Sequence, residues 1–255
     1  MERLWSRRGM FVIGGQVFAG ATLAAAWERL ALAQGQEAVD WKRIFSAKAE
    51  GGTGTVKRVT GAAFANQRVL AVGKQVQAGE QLRVAKGASL AVSIQDGTLL
   101  QIREDTVLDF APSRNKTGLL NLVAGGLLAV MPAGNRYLVT GPASVIGIKG
   151  TVFYRQVFTE HQTTARAMEG RTATLPGQGL RDYYCTCNGA VDFLRTEDQS
   201  LIASDTAQHH NSFFLNPSNP KLLEKFEMIN HFDRDIKAAI DLQDGPKHDA
   251  SFLKL

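Results

Sequence analysis

The sequence predicts an all-β protein with a helix near its C-terminus, and three observations predict it. Short apolar runs alternate with period two from Thr55 to Phe158. Glycines break those runs at roughly ten-residue spacing, the rhythm of a sandwich, barrel or solenoid. The 255-residue chain holds 25 glycines against 7 prolines, an excess suited to tight backbone reversals. Its 44% hydrophobic and 21% charged composition is that of a globular chain rather than a disordered one.

The first element reads as an address. Basic Arg3, Arg7 and Arg8 precede an uncharged stretch from Met10 to Trp27, and the small-residue site Ala31-Leu32-Ala33 follows. Basic, apolar and small in that order is the layout of an export signal, assigned to residues 1–33. Ser6-Arg7-Arg8-Gly9-Met10-Phe11 resembles a twin-arginine motif, with Met10 where Phe is usual and Phe11 where Leu is usual. Gly14, Gly15 and Gly20 keep the apolar run mildly hydrophobic, as such signals are. The alternative is an uncleaved membrane anchor, because the run approaches the ~20 residues that span a bilayer. Either way the bulk of the chain is expected in the periplasm or cell envelope, with membrane contact only if the segment stays attached. Residues 34–54 read as a linker.

The strands begin at Thr55. Val56 to Val59, Gln81 to Val84, Leu90 to Ile94, Leu100 to Ile102, Val107 to Phe110, Leu120 to Val123, Leu127 to Val130 and Tyr137 to Val139 each alternate. Gly61, Gly73, Gly79, Gly87, Gly118, Gly125-Gly126 and Gly134 are read as the turns between them, and Asp96-Gly97 is the strongest turn signal. Periodicity gives each strand's inward face but not its neighbour, so sandwich and solenoid both remain open.

An ordered series of segments then resembles the FecR domain. It comprises Val72-Gly73, Ala78 to Val84, Ile94 to Thr98, Thr106 to Phe110, Leu122 to Leu127 and Pro142 to Thr151. Glu80 stands where the family favours Asp, Gly141 where it has Thr, and Lys149 where Arg is usual. The resemblance places a FecR-type β-domain at 55–158 and implies a compact, β-solenoid-like or β-sandwich domain outside the inner membrane. Signalling members work downstream of outer-membrane iron-siderophore receptors and carry a cytoplasmic segment that holds a sigma factor. Only a handful of residues precede the apolar stretch here, which speaks against direct sigma-factor control. Gly141 to Thr151 lacks the Gly-Lys-Ser/Thr arrangement of a phosphate loop and reads as a structural turn.

Residues 159–182 lack firm periodicity and read as a loop or hairpin, ahead of a C-terminal extension, 183–255. Tyr183 to Phe193 reads as strand, turn, strand. In an extended strand Cys185 and Cys187 point to one face, where two thiolates can share a soft metal ion. His209 and His210 follow about twenty residues later, and thiolate with imidazole is a zinc or copper ligand set. As neighbours, they reach one ion only if they lie in a bend. The Cys-Thr-Cys and His-His pairs also look like the tail of a subset of exported FecR-domain proteins. The assigned candidate metal ligands are therefore Cys185, Cys187, His209 and His210. For the cysteines, a redox-active or oxidised pair and plain buried thiols stay open beside metal, as do surface or core roles for the histidines. Asn219-Pro220 signals a helix start, followed by an apolar stripe of Leu222, Phe226, Ile229, Ile236 and Ile240. His231 on that helix, four residues after Glu227, is a further candidate ligand.

A formal charge of +5 raises nucleic acid as a partner. Two of those charges belong to the first 33 residues, and the other basic residues are scattered, so no nucleic-acid footprint is expected. No hydrolase, redox or metalloprotease motif surrounds the cysteines and histidines. The sequence thus points to a non-enzymatic periplasmic binding or sensing protein that contacts an envelope protein or ligand. The alternative is a metal- or thiol-handling protein using Cys185 and Cys187 with His209 and His210.

Overall fold

The computed structural model describes residues 51–112, 117–142, 144–195, 198–215, 223–245 and 247–255, with the backbone of two short N-terminal strands. Those strands, Phe11–Ile13 (β1) and Gln16–Phe18 (β2), pair with each other antiparallel. The rest of the expected export signal and linker lies outside the described residues up to residue 50. No described helix is long and apolar enough to cross a membrane.

The protein is all-β with one α-helix among the described residues. A 15-stranded sheet takes up most of the chain. Its early strands are Thr53–Thr60 (β3), Ala63–Ala65 (β4), Arg68–Val69 (β5), Gln75–Gln77 (β6), Glu80–Val84 (β7), Ser89–Ile94 (β8), Leu99–Ile102 (β9) and Thr106–Pro112 (β10). Thr117–Val130 (β11), Arg136–Thr140 (β12) and Val145–Phe158 (β13) follow, and Thr164–Arg166 (β14) pairs with Thr172–Thr174 (β15) as a separate hairpin. Arg181–Leu194 (β16), Leu201–Ala207 (β17), Asn211–Leu215 (β18) and Glu224–Lys225 (β19) complete the sheet, and Asp233–Asp241 is the helix α1. Asp96-Gly97 makes the expected turn between β8 and β9, with Gly97 at φ 86°. Within the sheet, the described pairing is antiparallel except between β11 and β12, and no closed solenoid is seen among the described residues.

Three 14-residue strands, β11, β13 and β16, carry the architecture because each bends rather than turns. The first half of β11 pairs with β10 and β12, and the second half with β9 and β13. The bend falls at Gly125, φ 83°, where a Cβ would lie 2.5 Å from the Thr106 Cα. Gly150 (φ 60°) and Gly189 (φ 110°) bend β13 and β16 side by side. This corrects three expectations. Gly125-Gly126 is the middle of a strand rather than a turn, Gly147 to Thr151 lies inside β13, and Tyr183 to Phe193 is one strand. In each case glycine supplies the left-handed backbone that a sharp bend needs, and the alternating residues on either side keep their pairing.

Period-two alternation along the bent strands sends side chains into two apolar clusters. Leu127, Ala129, Phe153, Val157 and Tyr184 join β3, β7, β8 and β10 residues such as Val56, Leu82, Val92 and Phe110 in the first. Leu128, Val130, Tyr154, Phe158, Tyr183, Cys185 and Cys187 point the other way into the second. That second cluster is covered by the β14–β15 hairpin, by Phe226 and Ile229, and by Ile236, Ala239 and Ile240 of α1.

The helix begins later than the sequence predicts. Residues 216–222, with Asn219-Pro220, lie outside the described residues, and the chain after them is extended, Glu224–Lys225 pairing with β18. At the observed start the N-cap is Phe232, whose side chain offers no acceptor. Instead, its backbone N–H donates to Asp235 Oδ2 at 3.1 Å, half of a capping box. A start without Ser, Thr, Asp or Asn at the cap is hard to find in sequence. Phe226, Glu227 and Ile229 are therefore not helical, and His231 precedes the helix instead of riding on it.

Candidate functional site

The second cluster holds the chain's concentration of metal-ligating side chains among the described residues. β16 places Cys185 and Cys187 on its inner face, both fully buried and both free thiols, with their Sγ atoms 3.7 Å apart. The bend between β17 and β18 brings His210 above them. Its backbone N–H donates to the Cys187 carbonyl at 3.1 Å, and its φ of 38° turns the ring inward. His210 Nδ1 then lies 3.3 Å from Cys185 Sγ, and its Nε2 lies 2.7 Å from Asp233 Oδ1 at the start of α1.

His231 completes the group. It is fully buried, stacked on Tyr154 with ring centroids 4.2 Å apart. Its Nδ1 lies 2.8 Å from the Ile229 carbonyl, while its Nε2 is buried with no hydrogen-bond partner among the described residues. One donor atom from each of Cys185, Cys187, His210 and His231 lies within 4.8 Å of the others. Of the four residues assigned from sequence, the structure brings Cys185, Cys187 and His210 together. His209 instead faces outward from the same bend, its Nε2 3.2 Å from Asp233 Oδ2. Asp233 is the residue that sequence reasoning missed. A lone Asp without motif spacing carries no signal until the chain path sets it beside both histidines.

The electrostatics follow from burial and mutual contact. Burial alone pushes the Cys185 thiol up, but the hydrogen bond with Cys187 and the proximity of His231 and His210 hold it well below the usual thiol range. Burial and the neighbouring Cys185 hold Cys187 well above it. Burial works against the charged form of His210, yet its contacts with Cys185 and Asp233 raise its pKa overall. Asp233 is in turn held down, burial being outweighed by hydrogen bonds from His210 and from the Lys254 backbone. The cluster thus favours a thiolate at Cys185 beside a protonated His210, and the thiolate is the form in which sulfur binds a metal. An open groove of about 970 Å³, lined by His209, His210, Phe232, Asp233 and Leu255, reaches it from the surface.

The fold is β-rich, and its cysteine–histidine cluster is buried, with no exposed nucleophile at the cysteines. Residues 80–172, from the start of β7 to the start of β15, match the family model described as FecR protein, so that stretch is a FecR-type domain. The match ends before Cys185, which leaves the cluster in the C-terminal extension. Two crystal structures of a "putative anti-sigma factor" from Parabacteroides distasonis ATCC 8503 are similar at 14% identity and a TM-score of 0.42. The similarity covers 58% of this chain and 60% of that one, so the chain spans about three fifths of that protein's length. No curated protein matches the chain.

Proposed function

We propose that this chain is a non-enzymatic binding and sensing module of the bacterial cell envelope, acting by contact with another envelope protein or a ligand. The observation that carries this reading is the FecR match over residues 80–172. Its position on a continuous β-framework supports a rigid scaffold for contact. The layout of residues 1–33, basic then apolar then small, supports a location outside the cytoplasm. A scattered surface charge supports a protein or small-ligand partner over nucleic acid. We infer also that the framework is a two-layered sandwich whose layers share the bent strands, because side chains from both halves of β11, β13 and β16 line the first cluster.

The test is chemical crosslinking of the full chain in intact cells, followed by capture from envelope extracts and mass spectrometry. A specific envelope partner that is lost when residues 80–172 are replaced by an unrelated domain supports the proposal. Recovery of the full-length chain from the cytosol alone, with no envelope partner, overturns it.

A further inference from the structure

We propose that Cys185, Cys187, His210 and His231 hold one tetrahedral zinc ion, with Asp233 positioning His210. This inference stands apart from the sensing reading, and either can fail without the other.

The first support is metric. Zinc bonded to sulfur at about 2.3 Å and to nitrogen at about 2.0 Å sets tetrahedral edges of about 3.8 Å for S···S and about 3.5 Å for S···N. The thiols stand 3.7 Å apart, and Cys185 Sγ is 3.3 Å from His210 Nδ1. All four donors fit inside a 4.8 Å span. A two-iron cluster with cysteines on one iron and histidines on the other would hold sulfur and nitrogen farther apart.

The second support is independent of those distances. His231 Nε2 is a fully buried polar atom without a hydrogen-bond partner among the described residues, which burial penalises unless something binds it. Its Nδ1 side is occupied by the Ile229 carbonyl, so Nδ1 carries the proton and Nε2 presents a lone pair. His210 shows the mirror arrangement, Nε2–H toward Asp233 and Nδ1 toward the sulfur. Each histidine thus has its outer nitrogen tied to an oxygen, the arrangement that orients imidazole on a metal.

Third, the donor chemistry selects the ion. Two thiolates and two imidazoles suit zinc, whereas copper(I) favours sulfur-rich sites and the hard cations favour oxygen. All four positions come from protein, so the ion is a structural link rather than a Lewis-acid reagent. It joins β16, the β17–β18 bend and the segment leading into α1, which fixes the cover of the second cluster to the sheet.

The experiment uses the full chain, purified without added metal or chelator. Elemental analysis should find one zinc per chain, and cobalt replacement should give tetrahedral d–d bands with a thiolate charge-transfer band. His231→Gln should cut zinc content at least tenfold, whereas His209→Gln should leave it unchanged. Asp233→Ala should weaken zinc affinity about 10–100-fold, and Asp233→Asn, which keeps an acceptor oxygen, should recover part of that loss. Because ligand variants can misfold, the wild-type metal content and cobalt spectrum decide independently. The proposal is overturned by wild-type chain without stoichiometric zinc, by copper in its place, by an octahedral cobalt spectrum, or by a Cys185→Ser/Cys187→Ser double variant that folds and keeps its zinc.

Discussion

Arg155 and Asp182 are both fully buried, and the guanidinium donates from all three of its nitrogens. Nε donates to Asp182 Oδ1 at 3.0 Å, Nη1 to the Val139 carbonyl at 2.7 Å, and Nη2 to Asp182 Oδ2 and Ser144 Oγ. A Cβ on Gly141 would lie 2.2 Å from Nη2, so glycine is required where the FecR pattern has threonine. Arg155→Ala strands a buried carboxylate and should cost about 3–5 kcal/mol in urea unfolding, while Arg155→Met with Asp182→Leu should restore most of it. Tyr137 gives a pH-dependent counterpart. Its hydroxyl donates to Asp96 Oδ2 at 2.7 Å, and burial first, then the Asp96 charge, hold its pKa well above the ordinary value. The neutral form is the one the fold favours. Stability from this group is therefore complete below the unfolded pKa of about 10 and is lost as pH rises beyond it, by up to about 1.4 kcal/mol per pH unit. Urea midpoints between pH 8 and 11 should fall more steeply for wild type than for Tyr137→Phe. At this scale the sequence was partly legible: period two alone puts Cys185 and Cys187 on one face. That His231 rather than His209 lies beside the cysteines follows from the φ of His210 and the chain path before α1, which no spacing rule encodes.

The strands teach a different lesson. Their existence and their inward faces were legible from alternation, and so was the Asp96-Gly97 turn. Their ends were not, because a positive-φ glycine looks the same in sequence whether the chain reverses or bends. What separates the cases is the neighbour. Gly125 packs against Thr106 and Gly189 against Thr151, whereas Gly79, at a φ of 92°, has open space where a Cβ would go. All three substitutions to alanine carry backbone strain, on the order of 1 kcal/mol. Gly125→Ala and Gly189→Ala add a collision and should destabilise by about 1–3 kcal/mol more than Gly79→Ala, read as a drop in thermal midpoint. The late helix start was hidden for a related reason. Asp235 serves the backbone of Phe232 from inside the helix, so the usual cap residue is missing from the expected place.

At the scale of the whole molecule, composition and glycine spacing predicted a β-rich globular chain, and the FecR series marked the central framework. The division of its interior into two clusters was not legible, since alternation reports that a strand has two faces but not that both are buried. The N-terminal segment makes its own prediction. A fusion of residues 1–33 to a reporter active only outside the cytoplasm should be active, and the Arg7→Lys/Arg8→Lys pair should abolish that activity if the twin-arginine reading holds. Retained activity in the double variant would assign the segment to the general export route.

The cover over the second cluster also has a bearing on biogenesis. Ile229, Ile236, Ala239 and Ile240 are all synthesised after the strands they shield. A chain truncated after residue 215 and released from the ribosome would present Tyr154, Tyr183 and Phe214 to solvent and to chaperones. Such a truncated chain should bind a hydrophobic dye that the finished protein ignores.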